Sequence, residues 1–143
     1  MIPQEMQDLL TQRNTAIVAI NRRSGGPQLS PVWYLWDGEV FYFRVARNTA
    51  KYANLKRNPS ISLIVNDITG FRYITVYGQA EIIEADSADV SARIASRYYA
   101  PEMAKQIISQ PLEPGAVTVR VRPEKVVAVI EDIAREAANS WSQ

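Results

Sequence analysis

Asp37-Gly38 separates two apolar, alternating runs, Gln28–Trp36 and Glu39–Arg44, and is the strongest local hairpin signal in the chain. The two runs therefore pair as antiparallel strands. The period of two returns in Ala116–Arg122, where Val117, Val119 and Val121 face inward and Thr118, Arg120 and Arg122 face outward. Further strands are expected over Thr15–Asn21, Ile61–Asn66 and Arg72–Ile83, with Val126–Ile130 extending the sheet beyond Pro123. Pro31 has no N–H to donate, which assigns its strand to a sheet edge or a bulge. Gly78 marks a bulge or bend in the long strand.

Helices are expected over about Pro3–Arg13, Thr49–Arg57, Ser87–Tyr99, Glu102–Ser109 and Asp132–Trp141, with Asp86 and Asp89 resembling a cap on the third. Strands joined by hairpins, with most helices set apart from them, define an α+β class. Its sheet is mainly antiparallel, with about six strands closed or partly closed into a small barrel. One domain spanning residues 1–143 is the simplest organisation for this length.

The chain has no His and no Cys. That excludes His-based nucleophilic triads, thiol catalysis and His-ligated zinc. The acidic residues are scattered without a calcium-loop spacing, so no metal site is expected. Any catalysis has to come from a cofactor, or from carboxylates, Lys, Tyr and hydroxyls. A formal net charge of +1 argues against a general nucleic-acid binder. No apolar stretch reaches the roughly 18–20 residues needed to span a bilayer, and no secretory signal is visible, so a cytoplasmic location is expected.

Between Glu39 and Asp67 there is no acidic residue, yet Arg44, Arg47, Lys51, Lys56 and Arg57 all fall there. Lys51 lies in the first turn of the expected Thr49–Arg57 helix, where the macrodipole opposes a cation by about 0.3–1 kcal/mol. A phosphate bound at that helix start, on Lys51, Thr49 and Arg44, reconciles the charge with the dipole. A solvated basic face is the plain alternative. Lys56 and Arg57 are ordinary C-terminal helix cations. Trp33 lies on the opposite strand face from Tyr34 and Trp36, and core or interface positions suit all three better than ring stacking on a ligand.

Four segments in this order and spacing resemble the split β-barrel flavin-binding family related to pyridoxamine 5′-phosphate oxidase. They are Gly26-Pro-Gln-Leu-Ser-Pro-Val-Trp33, Phe41-Tyr-Phe-Arg44, Thr49–Pro59 followed by Ile61–Val65, and Val76-Tyr-Gly-Gln-Ala80. The resemblance implies a homodimer with two cofactors at its interface, either FMN or the deazaflavin coenzyme F420. It implies that Lys51 of Thr49-Ala-Lys51 holds the cofactor phosphate, that Phe43, Arg44, Val45 and Ala46 lie along the ring or ribityl chain, and that Gln28 and Ser30 face the cofactor. Relatives often carry Thr where this chain has Val45. The Arg-x-His substrate element of full-length pyridoxamine phosphate oxidases is absent.

The leading expectation is thus a flavin-type oxidoreductase acting on a small-molecule substrate, with the catalytic acid or base unassigned. A non-catalytic cofactor-storage module and a single-stranded nucleic-acid-binding barrel are the alternatives.

Overall fold

The Asp37-Gly38 hairpin forms with a longer loop than a two-residue turn. In the computed structural model, which describes residues 1–141, β3 (Leu35–Trp36) pairs antiparallel with β4 (Phe41–Ala46), and Trp36 lies opposite Phe41. The Asp37 carboxylate accepts the N–H groups of Glu39 at 2.9 Å and Val40 at 2.8 Å, and Gly38 takes a positive φ of 101°. Val40 is thereby tucked into the core. Here a side-chain acceptor replaces the strand ladder.

The chain opens with a 3-10 turn (Gln4–Met6) and a short α1 (Gln7–Thr11) in place of one continuous helix. β1 (Ala16–Ile20), β2 (Gln28–Val32), β3 and β4 follow, then α2 (Ala50–Arg57), β5 (Ser60–Asn66) and β6 (Arg72–Ile83). α3 (Ala88–Tyr98), α4 (Pro101–Ile108), β7 (Ala116–Ile130) and α5 (Asp132–Trp141) complete it. The seven strands form one antiparallel sheet in the order β2-β1-β5-β6-β7-β4-β3. The expected strand Gln28–Trp36 is broken at Trp33-Tyr34 into β2 and β3, which lie at opposite ends of this order, so the described residues form seven strands where about six were expected. Pro31 does sit on an edge strand.

β7 runs unbroken through Pro123 and carries residues Val126–Ile130 in the same strand. The β6–β7 register shifts between Tyr77 and Gly78. A Cβ on Gly78 would lie 2.5 Å from the Arg122 carbonyl oxygen, so the bulge admits glycine there without displacing backbone.

Alternation divides the sheet into two faces. Val18, Ile20, Leu63, Val65, Ile74, Val76, Phe41, Phe43, Val117, Val119 and Val121 fill the concave side, closed by Leu9 and Leu10 of α1 and Leu55 of α2. Tyr34 is buried in this core and donates its hydroxyl to the Leu10 carbonyl at 3.0 Å. Burial is the main cause that pushes its phenol up to about 12. The unfolded phenol ionises near 10, so this contribution is intact below pH 10 and is lost as pH rises through 12. We expect a loss of about 2–3 kcal/mol over that window from Tyr34. Denaturant midpoints measured from pH 8 to 11.5 should fall less steeply in Tyr34→Phe.

The opposite face is also apolar. Cross-strand register places Pro31, Ile17, Ile64, Thr75 and Val127 in one row, and Leu29, Ala19, Ser62 and Tyr77 in the next. Leu29, Tyr77 and Val127 are exposed. Among the described residues no helix is long and apolar enough to cross a membrane.

Candidate functional site

β4 ends at Ala46, and Arg47-Asn48-Thr49 turns the chain into α2. Thr49 is the helix N-cap: its hydroxyl donates to the Ala46 carbonyl at 2.6 Å and accepts the Tyr52 N–H at 3.3 Å. The first intrahelical backbone bond runs from the Ala53 N–H to the Thr49 carbonyl. The N–H groups of Ala50 and Lys51 precede it and are available at the helix mouth. No acidic residue occupies the first turn.

The five cations of the basic run part company here. Arg44 makes a two-pronged ion pair with Asp86, Nη2 to Oδ2 at 2.5 Å and Nε to Oδ1 at 3.1 Å. Arg47 and Lys56 both bind the Glu84 carboxylate, at 3.2 Å and 3.1 Å, and the Tyr52 hydroxyl donates to the same group at 2.8 Å. Tyr52 first, then Lys56, hold the Glu84 carboxyl below its usual range. Arg57 reaches the Asn54 side chain at 2.6 Å and the Asn21 carbonyl at 2.8 Å. Lys51, half-buried, alone of the five has no hydrogen-bond or ion-pair partner among the described residues.

Phe43 and Val45 point into the core, and Arg44 points to the opposite side of β4, while Ala46 is exposed at the strand end. Only the backbone and edge of this strand are therefore free to lie along a ligand. Gln28 and Ser30 share the concave face with their cross-strand partners Ile20 and Val18. The Gln28 Oε1 is buried without a hydrogen-bond partner, an uncommon state for a buried acceptor. A ligand N–H or hydroxyl would satisfy it. An unpaired ammonium in the first turn of a helix with free N–H groups is a donor set that suits a phosphate, and the Gln28 oxygen is a separate unpaired acceptor on β2. Among the described residues no group of three or more acidic side chains is placed to hold a metal.

Sequence reasoning missed Asp86 and Glu84. By sequence Asp86 resembles a helix cap, but Ser87 caps α3, accepting the Val90 N–H at 3.1 Å. Asp86 instead anchors Arg44 and accepts the Thr118 hydroxyl at 2.9 Å, which buries Thr118 completely although its side chain leaves the concave face. No local signal links residues 42 and 32 positions apart. Burial raises the Asp86 carboxyl, but the bonds from Arg44 and Thr118 outweigh it and hold the pKa below its ordinary value. This carboxyl's contribution is therefore complete above the unfolded value near 3.9 and disappears as pH falls through the lower folded value. Asp86→Asn should lower stability at pH 7 by about 1–3 kcal/mol and flatten that acid-side loss. Urea unfolding at pH 7 and pH 3 reads both effects.

A curled antiparallel sheet of this topology, flanked by helices, defines a split β-barrel. The chain belongs to the pyridoxamine 5′-phosphate oxidase family, whose model matches residues 2–130. Among solved structures it is similar to an F420 reductase, at 28% identity over 88% of this chain and 98% of that one, with a TM-score of 0.71. It is also similar in fold to the general stress protein 26 of Bacillus anthracis (17% identity, 88% and 92% covered, TM-score 0.66) and to a heme-storage protein of Vibrio cholerae (20%, 87% and 92%, TM-score 0.68). No curated protein sequence matches the chain.

Proposed function

We propose that this protein is a flavin-type oxidoreductase that holds the phosphate of FMN or of the deazaflavin coenzyme F420 at the start of α2. The observation that carries this reading is Lys51. In a run whose other cations are committed to protein partners, it keeps an unpaired ammonium in the first turn of a helix with free N–H groups, against the local dipole. Lys51 and the N–H groups of the first turn bind the phosphate. Thr49 holds the turn in shape, and the backbone of Phe43, Val45 and Ala46 orients the ring along the strand edge. Gln28, with its unpaired Oε1, and Ser30 border the ring. Arg44 stays on Asp86 and supports β4 rather than the phosphate.

The bound cofactor supplies hydride or electron transfer, which suits a chain with neither His nor Cys. The 28% identity to an F420 reductase, over nearly the whole of both chains, supports this class of activity.

The reading includes a homodimer. The apolar outer face of β2, β1, β5, β6 and β7 is a broad exposed patch of the kind that marks an interface. In the assembly that the family resemblance implies, the second copy shares the cofactor site.

Absorbance and mass of the small molecule that co-purifies, with titration of FMN and F420 into stripped protein, test the proposal. A stripped protein with no measurable affinity for either overturns it. A storage module would bind the cofactor equally well and show no turnover with nicotinamide or reduced F420 donors.

A further inference from the structure

Outside the barrel core, α3 and α4 stand off the outward side of β4 and enclose a cleft of about 840 Å³. That falls within the range of sites that bury a small organic molecule, roughly 300–1,000 Å³. Neither Thr49 nor Lys51 lines it, so it is separate from the anion site.

One wall is aromatic and rigid. The Trp33 indole stacks on Tyr98 with centroids 4.8 Å apart and planes at 5°, and Tyr99 meets it edge-on at 5.0 Å and 83°. Tyr98 is itself tied down by donating its hydroxyl to the Asn14 carbonyl at 2.6 Å. Trp33 nevertheless remains 41% exposed. The rest of the lining includes Ile107, Ile108 and Leu112, the last two exposed.

The polar element is Arg44, whose Nε and Nη2 are spent on Asp86. Its Nη1 has no protein acceptor among the described residues. The ion pair cancels the guanidinium charge, and the Glu113 carboxylate also lines the cleft. The electrostatics therefore do not favour an anion, while a directed N–H donor persists.

We propose that this cleft is a binding site for a flat, uncharged aromatic ring compound bearing a carbonyl. The ring would lie against Trp33, and the carbonyl would accept from Arg44 Nη1. Stacking contributes geometry as well as area, and one donor orients the ring.

The test uses two probes of the same shape that differ in charge, 2-naphthamide and 2-naphthoate, titrated by calorimetry into full-length protein with and without saturating FMN. We expect 2-naphthamide to bind at least 10-fold more tightly than 2-naphthoate, with FMN leaving its affinity unchanged. Trp33→Ala and Ile108→Glu, both at exposed positions, should each weaken it at least 10-fold, whereas Lys51→Ala should not. Folding of each variant is checked by its denaturant midpoint. Equal affinity for the two probes, competition by FMN, no binding of 2-naphthamide, or indifference to both cleft variants would overturn the proposal. Loss of FMN binding in Lys51→Ala with the naphthamide affinity retained bears on the cofactor site alone.

Discussion

Lys51→Ala is expected to weaken FMN or F420 binding by roughly 10–100-fold. A hydrogen bond to a charged group contributes about 1.5–3 kcal/mol, and each 1.4 kcal/mol is a factor of ten. The loss should be specific to the phosphate. Riboflavin, which lacks it, should bind wild type weakly and be indifferent to the substitution. Lys51→Arg should recover part of the affinity, because the charge survives while the compact ammonium is replaced by a planar fork. Stability should not suffer, since Lys51 gives up no protein partner and a first-turn cation opposes the helix dipole. Fluorescence-quenching titrations with FMN and riboflavin decide the matter. Equal affinity of wild type for the two, or unchanged FMN binding in Lys51→Ala, would remove the anion site from this helix entrance.

Ile64→Asp should abolish self-association at micromolar concentration. Ile64 lies on β5 between Ile17 and Thr75, near the middle of the apolar outer face. In a two-fold interface the same patch meets itself, so one substitution introduces a charge from each copy. An unpaired charge at a buried contact costs about 3–5 kcal/mol, equivalent to a dissociation constant raised at least 100-fold. The fold should tolerate the change, because the side chain leaves the concave core. Sedimentation velocity should show wild type as a dimer and the variant near the 16.1 kDa of one chain. Cofactor affinity should fall with it if the partner supplies part of the site. A wild type that sediments as a monomer sinks the assembly and, with it, the shared site.

Much of the architecture was readable because it is written in short-range pattern. Alternating Val117, Val119 and Val121 and the bracketing turns determined strands, and Pro31 pointed to an edge. Thr49 marked the helix start and caps α2 as observed. The break at Trp33-Tyr34 was not readable, because the chain from Pro31 to Trp36 stays apolar and aromatic across it. Its two halves separate only because the sheet closes with β2 at one end and β3 at the other. Thr118 fitted the outward half of an alternating strand, but the β6–α3 connection folds over it and buries it.

The sequence by itself determined an antiparallel α+β sheet, a helix that begins at Thr49 and a cluster of five cations around it, since each depends on neighbours within a few residues. Which of those cations is available was decided only by the tertiary structure. Glu84 and Asp86 both lie in the connection that follows β6, and they reach Arg47, Lys56 and Arg44 only once β6 and β7 bring that connection alongside β4. Ion pairing acts over a few ångströms of space and takes no account of distance along the chain, so the freedom of Lys51 follows from the fold that neutralises its neighbours.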